Sequence, residues 1–165
     1  MLILGIDPGL ATTGYGLIEA SKNKSNNYEL IYYDCIVTPK NIENPQRLLI
    51  LRNEFLRLLK IHKPEVIAIE RLFFGINATS GMAVSQARGV LLVTAAEMNI
   101  PVFEYQGLQI KKIITGDGRA DKKIVEKHVL TKLRKKNIDK PKNGFKDDAI
   151  DAIAIAISHF LTVSG

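Results

Sequence analysis

The stretch LILGIDPG, residues 2–9, decides how the rest of the sequence is interpreted. Its apolar run, Leu2 to Ile6, is typical of a buried strand that ends at Asp7 and a Pro-Gly turn. Residues 14–19 (GYGLIE) predict a second strand, and residues 28–37, rich in Tyr, Ile and Val, predict a third. We therefore expect a sheet that starts as an antiparallel meander and carries a carboxylate at one edge.

Helices and strands alternate after this meander. Residues 44–60 carry leucines at helical spacing, with Asn44 as the predicted N-cap, and residues 66–69 (VIAI) predict a strand that ends at Glu70. Further helices are predicted over residues 77–98, 108–114, 121–136 and 147–161, and a fifth strand over residues 101–105. This order predicts an α/β fold with a mixed five-stranded sheet flanked by helices, as a single domain over residues 1–165.

Composition fits an ordinary globular domain, with 165 residues, 46% of them hydrophobic and 24% charged. The single cysteine, Cys35, forms no internal disulfide and suits a reducing compartment. Leu2 to Ile6 is too short for a signal peptide, and no run reaches the ~18 apolar residues of a membrane span. We therefore expect a cytoplasmic protein with no membrane partner.

Positive charge is concentrated in one part of the chain. From Lys111 to Lys146 there are 13 Lys and Arg against four Asp and Glu, a net charge of +9, whereas the remainder carries a net −3. Such a basic block favours a polyanionic partner. The alternative is a solvated, lysine-rich helix face, and charge alone does not choose between the two.

Four carboxylates stand at positions that stability alone does not explain. Asp7 and Glu70 each follow an apolar strand, while Asp148 and Asp151, three residues apart, share one face of a predicted helix. Because the carboxyl ends of parallel strands meet at one edge, a helix across that edge would bring all four within a few ångström of one another. Oxygen-only ligands favour Mg²⁺ or Mn²⁺ over zinc, and the histidines show no zinc-like spacing.

Each acid also has a structural alternative. These are a turn initiator for Asp7, an ion pair with Arg71 or Arg88 for Glu70, and a helix cap for Asp147 or Asp148. Asp151 is harder to explain, because an unpaired charge inside the apolar run AIDAIAIAI would cost several kcal/mol. We therefore predict that either a compensating cation lies beside Asp151 or its carboxyl group is neutral.

Acids next to a basic block indicate a division of labour on a nucleic acid. The basic residues would hold the phosphodiester backbone. Two metal ions, about 3.5–4 Å apart, would activate water and stabilise the leaving oxygen. In-line displacement at phosphorus needs little further covalent chemistry from the protein. The combination predicts a metal-dependent nuclease.

Several segments, in order along the whole chain, resemble those of one family. They are GIDPG (5–9) followed by TGYG (13–16), AIE (68–70) followed by Phe73, QARGV (86–90), FEY (103–105), GDGRADKK (116–123) and DAIDAIAIAISH (148–159). Together they resemble RuvC, the family of bacterial Holliday-junction resolvases. GIDPG alone is weak, because actin-like ATPases open similarly, but this chain lacks room for the second domain of such an ATPase.

The resemblance implies an RNase H-like fold and a homodimer that resolves four-way (Holliday) DNA junctions by paired symmetric nicking, in recombination and repair. It also implies a branch-migration helicase complex as a partner. Asp7, Glu70, Asp148 and Asp151 fall on the four metal-binding acids of the family, which implies two Mg²⁺ per subunit, for which Mn²⁺ can substitute. We choose Asp148 over Asp147 because of its i, i+3 relation to Asp151.

The resemblance also implies which residues contact DNA. Lys111 and Lys122 fall on basic positions at the active site, and Phe73 falls on an aromatic that contacts junction bases. Arg119 and Lys123 complete the expected DNA-binding set. The alternative for Phe73 is a core aromatic. Departures from the family pattern are few and leave the acids intact: Gly107 replaces a usual proline, and Ile124 and His128 replace a glutamine and a methionine.

Two other functions remain open from the sequence: a ribonuclease H that acts on RNA–DNA hybrids, and a non-catalytic, basic nucleic-acid-binding domain. Residues 77–98 form the candidate dimer face. Its small residues, Ala78, Gly81, Ala83, Ala87 and Gly89, would allow two helices to pack closely.

Overall fold

The computed structural model describes residues 1–21, 28–71 and 78–164. The elements in chain order are β1 (Leu2–Asp7), β2 (Thr12–Ala20), β3 (Tyr28–Val37), α1 (Asn44–His62), β4 (Val66–Arg71), α2 (Ala78–Glu97), β5 (Val102–Gln106), α3 (Gly107–Thr115), α4 (Lys122–Lys132) and α5 (Lys146–Ser164). All five predicted strands and all five predicted helices are present. The predicted α/β fold class is therefore confirmed.

The five strands form one mixed sheet in the order β3-β2-β1-β4-β5. β1 is antiparallel to β2, and β2 is antiparallel to β3, as the predicted meander requires. β1 is parallel to β4, and β4 is parallel to β5. The carboxyl ends of β1 and β4 therefore lie at the same edge of the sheet, where β1 ends at Asp7 and β4 ends just beyond Glu70.

Alternation along the central strand sorts its side chains between two cores. Ile3 packs in the core that contains α5, whereas Leu4 and Ile6 pack in the core that contains α1 and α2. Because side chains alternate between faces with a period of two, Gly5 and Asp7 share the α5 face with Ile3. The same alternation on β4 sets Glu70 on the α5 face with Ala68. Both strand-end acids thus lie on the face that α5 covers.

α5 lies unusually close to the sheet, and glycine permits this approach. A Cβ at Gly5 would overlap the carbonyl oxygen of Ala152, and a Cβ at Gly14 would overlap that of Asp148. The helix is buried from Ala149 to Phe160 except at Asp151. The close contact fixes the start of α5, and with it both helix acids, over the end of β1.

α1 and α2 cover the opposite face. Their core includes Leu51, Phe55 and Leu91. On α2, Ala87 is buried against this core, so its predicted part in the dimer face is wrong. The outer side of α2 exposes Met82 and Val93, which are 64% and 61% accessible. Among the residues described, no helix is long and apolar enough to cross a membrane.

Most helix ends lie one to four residues from their predicted positions, and two of the differences have a clear structural cause. The N-cap of α1 is Glu43, whose side chain makes no capping hydrogen bond, so Asn44 already belongs to the helix. α4 ends at Lys132 and not at Lys136, because Arg134 adopts a left-handed backbone with φ of 55°. The amide of Lys135 then donates to the carbonyl of Leu130, which closes the helix in the manner of a Schellman motif.

Candidate active site

A cavity of about 300 Å³ opens at the sheet edge where β1 and β4 end. It is lined by Asp7, Glu70, Gly107, Ile110, Lys111, Lys122, Val125, Asp151, Ala154 and Ile155. Five of the six predicted catalytic residues therefore share one cavity, although they come from five different elements. The exception is Asp148, which lies in the first turn of α5 with its backbone against Gly14.

The acids in this cavity are poorly solvated and repel one another. Burial raises the pKa of Asp7 well above its ordinary value, and repulsion from Asp151, Glu70 and Asp148 adds to the effect. Burial is also the main cause that raises the pKa of Glu70, followed by Asp151, while Lys111 and Lys122 oppose the rise. Carboxylates so arranged favour any cation that enters.

Lys122 supplies the cation that the sequence predicted beside Asp151. Its Nζ lies 3.1 Å from Oδ2 of Asp151. Burial raises the pKa of Asp151, Lys122 opposes that rise, and Asp151 in turn raises the pKa of Lys122. The lysine side chain is 68% exposed, so solvent screens this pair and another cation can displace it.

The lysine occupies a position that helix stability alone does not favour. Lys122 and Lys123 begin α4, where the helix dipole disfavours positive charge. Asp121 caps this end by accepting a hydrogen bond from the amide of Ile124 at 2.9 Å. The cap fixes the first turn of α4 and keeps Lys122 directed at the acids, which indicates a role in the site.

Asp148 is coupled to the same group of charges, although it does not line the cavity. Burial raises its pKa most, Lys122 opposes the rise, and Asp151 and Asp147 add to it. Asp148 also contributes to the raised pKa of Asp7, whereas the neighbouring Asp147 is exposed and does not. Asp147 in turn raises the pKa values of Asp151 and Lys122, so both acids in the first turn of α5 act on the charges of the cavity.

The donor set fits a hard divalent cation, because all four acids supply oxygen and their burial together is unfavourable without positive charge. The sequence predicted four carboxylates within a few ångström. Within residues 1–21, 28–71 and 78–164, however, no three acidic, His or Cys side chains form a group that could already hold an ion. Asp7, Glu70 and Asp151 share the cavity, and Lys122 is the counter-charge to Asp151.

The remaining predicted site residues lie in different places. Lys111, on α3, lines the cavity, whereas Lys123 lies on α4 beside a separate basic depression with Lys127. Arg119 is exposed in the turn before α4, where its amide donates to Asp117. Phe73 lies outside the described residues.

The proposed ion pair between Glu70 and Arg88 is absent, because Arg88 pairs with another acid. Its Nη2 lies 2.5 Å from Oε1 of Glu104, on β5. Glu70 instead contacts Gly107, where an added Cβ would lie 2.6 Å from its Oε1. Gly107 is thus a site residue that the sequence did not assign. Its signal was a glycine at the junction between a predicted strand and a predicted helix.

A larger cavity, of about 430 Å³, lies between β3 and α1. Its acids already have partners: Asp34 accepts hydrogen bonds from Asn143, and Glu54 pairs with Arg57 at 2.6 Å. It therefore lacks the mutually repelling carboxylates of the first cavity. The acid cavity at the ends of β1 and β4 is the candidate active site.

Residues 3–159 match the family model described as crossover junction endodeoxyribonuclease RuvC. The chain belongs to the RuvC family. A RuvC from Desulfitobacterium hafniense (strain DSM 10664 / DCB-2) is 45% identical over 164 residues, which cover 99% of this chain and 94% of that protein. A RuvC from Caldicellulosiruptor saccharolyticus is 43% identical over 164 residues, 99% of this chain and 95% of that protein.

The fold of the RuvC family is also the fold of this chain. Thermus thermophilus RuvC, solved in complex with a Holliday junction substrate, superposes with a TM-score of 0.87 at 28% identity. The match covers 99% of this chain and 95% of that one. The predicted RNase H-like fold is therefore confirmed.

Proposed function

We propose that this RuvC-family chain is a metal-dependent endonuclease that resolves four-way DNA junctions by paired, symmetric nicking. One observation carries the proposal: half-buried acids from β1, β4 and α5 share a single cavity with two lysines. The relatives that match nearly the whole chain are named crossover junction endodeoxyribonucleases. The acids suit metal ions that assist phosphodiester hydrolysis, and the lysines suit stabilisation of the negative charge that develops on the phosphate.

In this proposal Asp7, Glu70, Asp148 and Asp151 hold two Mg²⁺ ions, for which Mn²⁺ can substitute. When bound, the ions activate the attacking water and stabilise the leaving oxygen. The acids orient the ions, and the close packing of α5 on Gly5 and Gly14 keeps two of these acids over the other two.

The two cavity lysines have a separate task. A metal ion held by Asp151 would free Lys122 from this ion pair, and the Lys122 ammonium would then be available to the scissile phosphate. Lys111 approaches from α3, on the same cavity. Both reduce the negative charge that develops on phosphorus-bound oxygens in the transition state.

Binding of the junction needs a surface larger than the cavity. Arg119, in the turn before α4, and Lys123, at the separate basic depression on α4, are exposed and would hold the phosphate backbone. Phe73 would stack on an unpaired junction base, a contact worth ~1–3 kcal/mol. Because backbone contacts release counterions, junction affinity should fall steeply as salt rises.

Symmetric cleavage needs two copies of the site. Met82 and Val93 stand 11 residues apart on α2, within about 20° of the same helix face, and both are exposed. We propose that this apolar stripe forms a homodimer whose dyad relates two active sites. A branch-migration helicase complex as partner, a cytoplasmic location and a single nuclease domain over residues 1–165 are further parts of the proposal.

The decisive experiment is incubation with a synthetic mobile four-way junction, with and without Mg²⁺, followed by mapping of the nicks. Asp7→Asn should lower the cleavage rate by about 10³-fold or more. When catalytic groups act as a unit, the loss of one removes most of the rate enhancement that the whole set provides. Junction binding should persist. Asp147→Asn is the matched control, since it removes an exposed acid one residue from Asp148.

Several outcomes would contradict the proposal. Cleavage by Asp7→Asn at the wild-type rate would remove the acids from the mechanism. Preferential cleavage of RNA–DNA hybrids over junctions would assign the chain to the ribonuclease H alternative. Tight junction binding without any Mg²⁺-dependent turnover would leave only a nucleic-acid-binding domain.

A further inference from the structure

A buried carboxylate outside the active site joins β3 to the segment that leads into α5. Asp34 is 3% exposed, and its two oxygens accept three hydrogen bonds. The amide of Cys35 donates to Oδ1 at 2.9 Å, and the amide of Asn143 donates to the same oxygen at 2.7 Å. Nδ2 of Asn143 donates to Oδ2 at 3.1 Å. Two of the three bonds therefore come from a residue 109 positions away.

The two residues after Asn143 are held against the same strand. Gly144 has a φ of 71°, and a Cβ there would lie 2.7 Å from the Sγ of Cys35. The Sγ of Cys35 donates to the carbonyl of Phe145 at 3.6 Å. Three consecutive residues, 143–145, thus contact Asp34 or Cys35 directly before α5 begins at Lys146.

This anchor acts on the part of α5 that carries one metal-binding acid. The carbonyl that accepts from Cys35 also accepts the hydrogen bond of the Ala149 amide, at 3.4 Å. Asp148 lies in that first turn, where helices fray, whereas Asp151 lies one turn further into the packed part of the helix. Cys35 also pairs in the sheet with Gly14, whose backbone meets that of Asp148.

We propose that Asp34 and Asn143 form a positioning pair that holds the first turn of α5 and thereby sets the place of Asp148 among the metal-binding acids. The pair touches neither metal nor DNA and acts only through Asp148. The inference rests on the proposed function in one respect, the metal-binding role of Asp148.

The first measurement needs no catalysis. In hydrogen exchange, Asp34→Ala should speed exchange of the amides of residues 149–152 and leave those of residues 155–160 near wild type. Asn143→Asp, which sets a second carboxylate against the first, should do the same with little change in volume. Leu59→Val, in the core on the opposite face, is the control for a general loss of stability.

The second measurement is the affinity of the free protein for Mn²⁺, read by the electron paramagnetic resonance signal of the unbound ion. Loss of a residue that orients a ligand costs about 10–100-fold in metal affinity. We expect such a loss for Asn143→Asp and no loss for Leu59→Val.

The third arm restores the pair with its two side chains exchanged, by combining Asp34→Asn with Asn143→Asp. The amide oxygen introduced on β3 can accept both backbone bonds, while the NH₂ of the same side chain donates to the new carboxylate. We expect this double variant to recover both the slow exchange and the Mn²⁺ affinity that Asn143→Asp alone loses. If Asn143→Asp only weakened the fold in general, adding a second substitution would weaken it further. Recovery of slow exchange and Mn²⁺ affinity in the double variant would therefore point to the contact between the two side chains.

Three results would overturn the positioning pair: unchanged exchange at residues 149–152, an equal loss of Mn²⁺ affinity in Leu59→Val, or no recovery in the double variant. The proposed function fails separately. A wild-type chain that does not cut junctions would refute the nuclease, whereas the exchange data would still decide whether Asp34 and Asn143 hold the start of α5.

Discussion

α5 and α2 are helices of nearly equal length, 19 and 20 residues, and both are mostly apolar, yet they lie in different surroundings. α5 is buried along most of its length against β1 and β2, so its alanines and isoleucines are covered by the chain itself. α2 lies on the other face of the sheet and buries one side, while Met82 and Val93 remain exposed.

The comparison shows that a similar apolar composition leads to different surroundings for the two helices. On α5 it allows the close approach that carries two acids over the end of β1. On α2 two apolar side chains, Met82 and Val93, remain exposed along one side, and the dimer proposal rests on that side. The same sequence signal therefore leads to the catalytic proposal in one helix and to the dimer proposal in the other.

The sharpest test of this difference adds one methyl group at each helix, on the strand beneath α5 and on α2 itself. Gly5→Ala would drive a Cβ into the backbone of α5 at Ala152, with no flexible side chain to yield. We expect it to lower the free energy of unfolding by about 3 kcal/mol or more, at the upper end of overpacking effects. Urea denaturation measures the change.

Gly89→Ala on α2 is the matched variant, because a Cβ there meets nothing within 4 Å. Alanine favours the helix over glycine by up to about 1 kcal/mol, so this variant should be as stable as wild type or more so. Equal destabilisation by the two substitutions would refute the close packing assigned to α5.

A smaller effect on the free energy of unfolding should follow from Mg²⁺ binding and from pH. Burial raises the pKa values of Asp7, Glu70, Asp148 and Asp151 above those of the unfolded chain. These groups therefore contribute fully to the free energy of unfolding below their pKa values in the unfolded chain, near pH 4. The contribution is lost as the pH rises through their pKa values in the folded chain. Mg²⁺ at 100 times its Kd adds about 2.7 kcal/mol, and we expect the gain to be larger at pH 8 than at pH 5.

Thermal unfolding at both pH values, with Mg²⁺ and with EDTA, measures this gain. Asp7→Asn should be more stable than wild type in EDTA at pH 8 and should gain less from Mg²⁺. Glu97→Gln, on α2, removes a surface ion pair with Arg52 and should keep the full Mg²⁺ effect. A Mg²⁺ gain that is the same at both pH values would argue against the acids as its cause.

The smallest change in monomer stability is expected on the exposed face of α2. Val93→Glu should alter the free energy of unfolding by no more than about 0.5 kcal/mol, as surface substitutions usually do. It should nevertheless weaken self-association, because it places a negative charge in the apolar stripe that Val93 forms with Met82. Sedimentation velocity across a range of concentrations separates the two effects, and an unchanged dimer would remove this face from the proposed interface.

Much of the fold follows from local signals in the sequence. Apolar runs closed by Asp7 and Glu70 predicted both the strands and the edge where they end, because strand periodicity and turn chemistry are local. The i, i+3 spacing of Asp148 and Asp151 predicted their common face for the same reason. The apolar run around Asp151 also predicted either a nearby cation or a neutral carboxyl group, since such a run does not tolerate an unpaired charge, and Lys122 realises the first alternative.

What could not be predicted depends on contacts between distant segments. Nothing near Arg88 in the sequence indicates that it pairs with Glu104 and leaves Glu70 to the cavity. The early end of α4 depends on the left-handed backbone of Arg134, a conformation that an arginine does not predict. Asp34 and Asn143 are polar residues in unremarkable contexts, and only the packing of β3 against the start of α5 makes them partners.

α5 follows the other described helices and strands in the chain, which has a consequence for biosynthesis. β1, at the centre of the sheet, is made first, but one side of it stays bare until α5 has been translated. A nascent chain on the ribosome cannot assemble the four acids before residue 151 has emerged. The proposed set of metal-binding acids is therefore incomplete until residue 151 has emerged, and any fragment truncated before α5 would expose apolar sheet surface without completing that set.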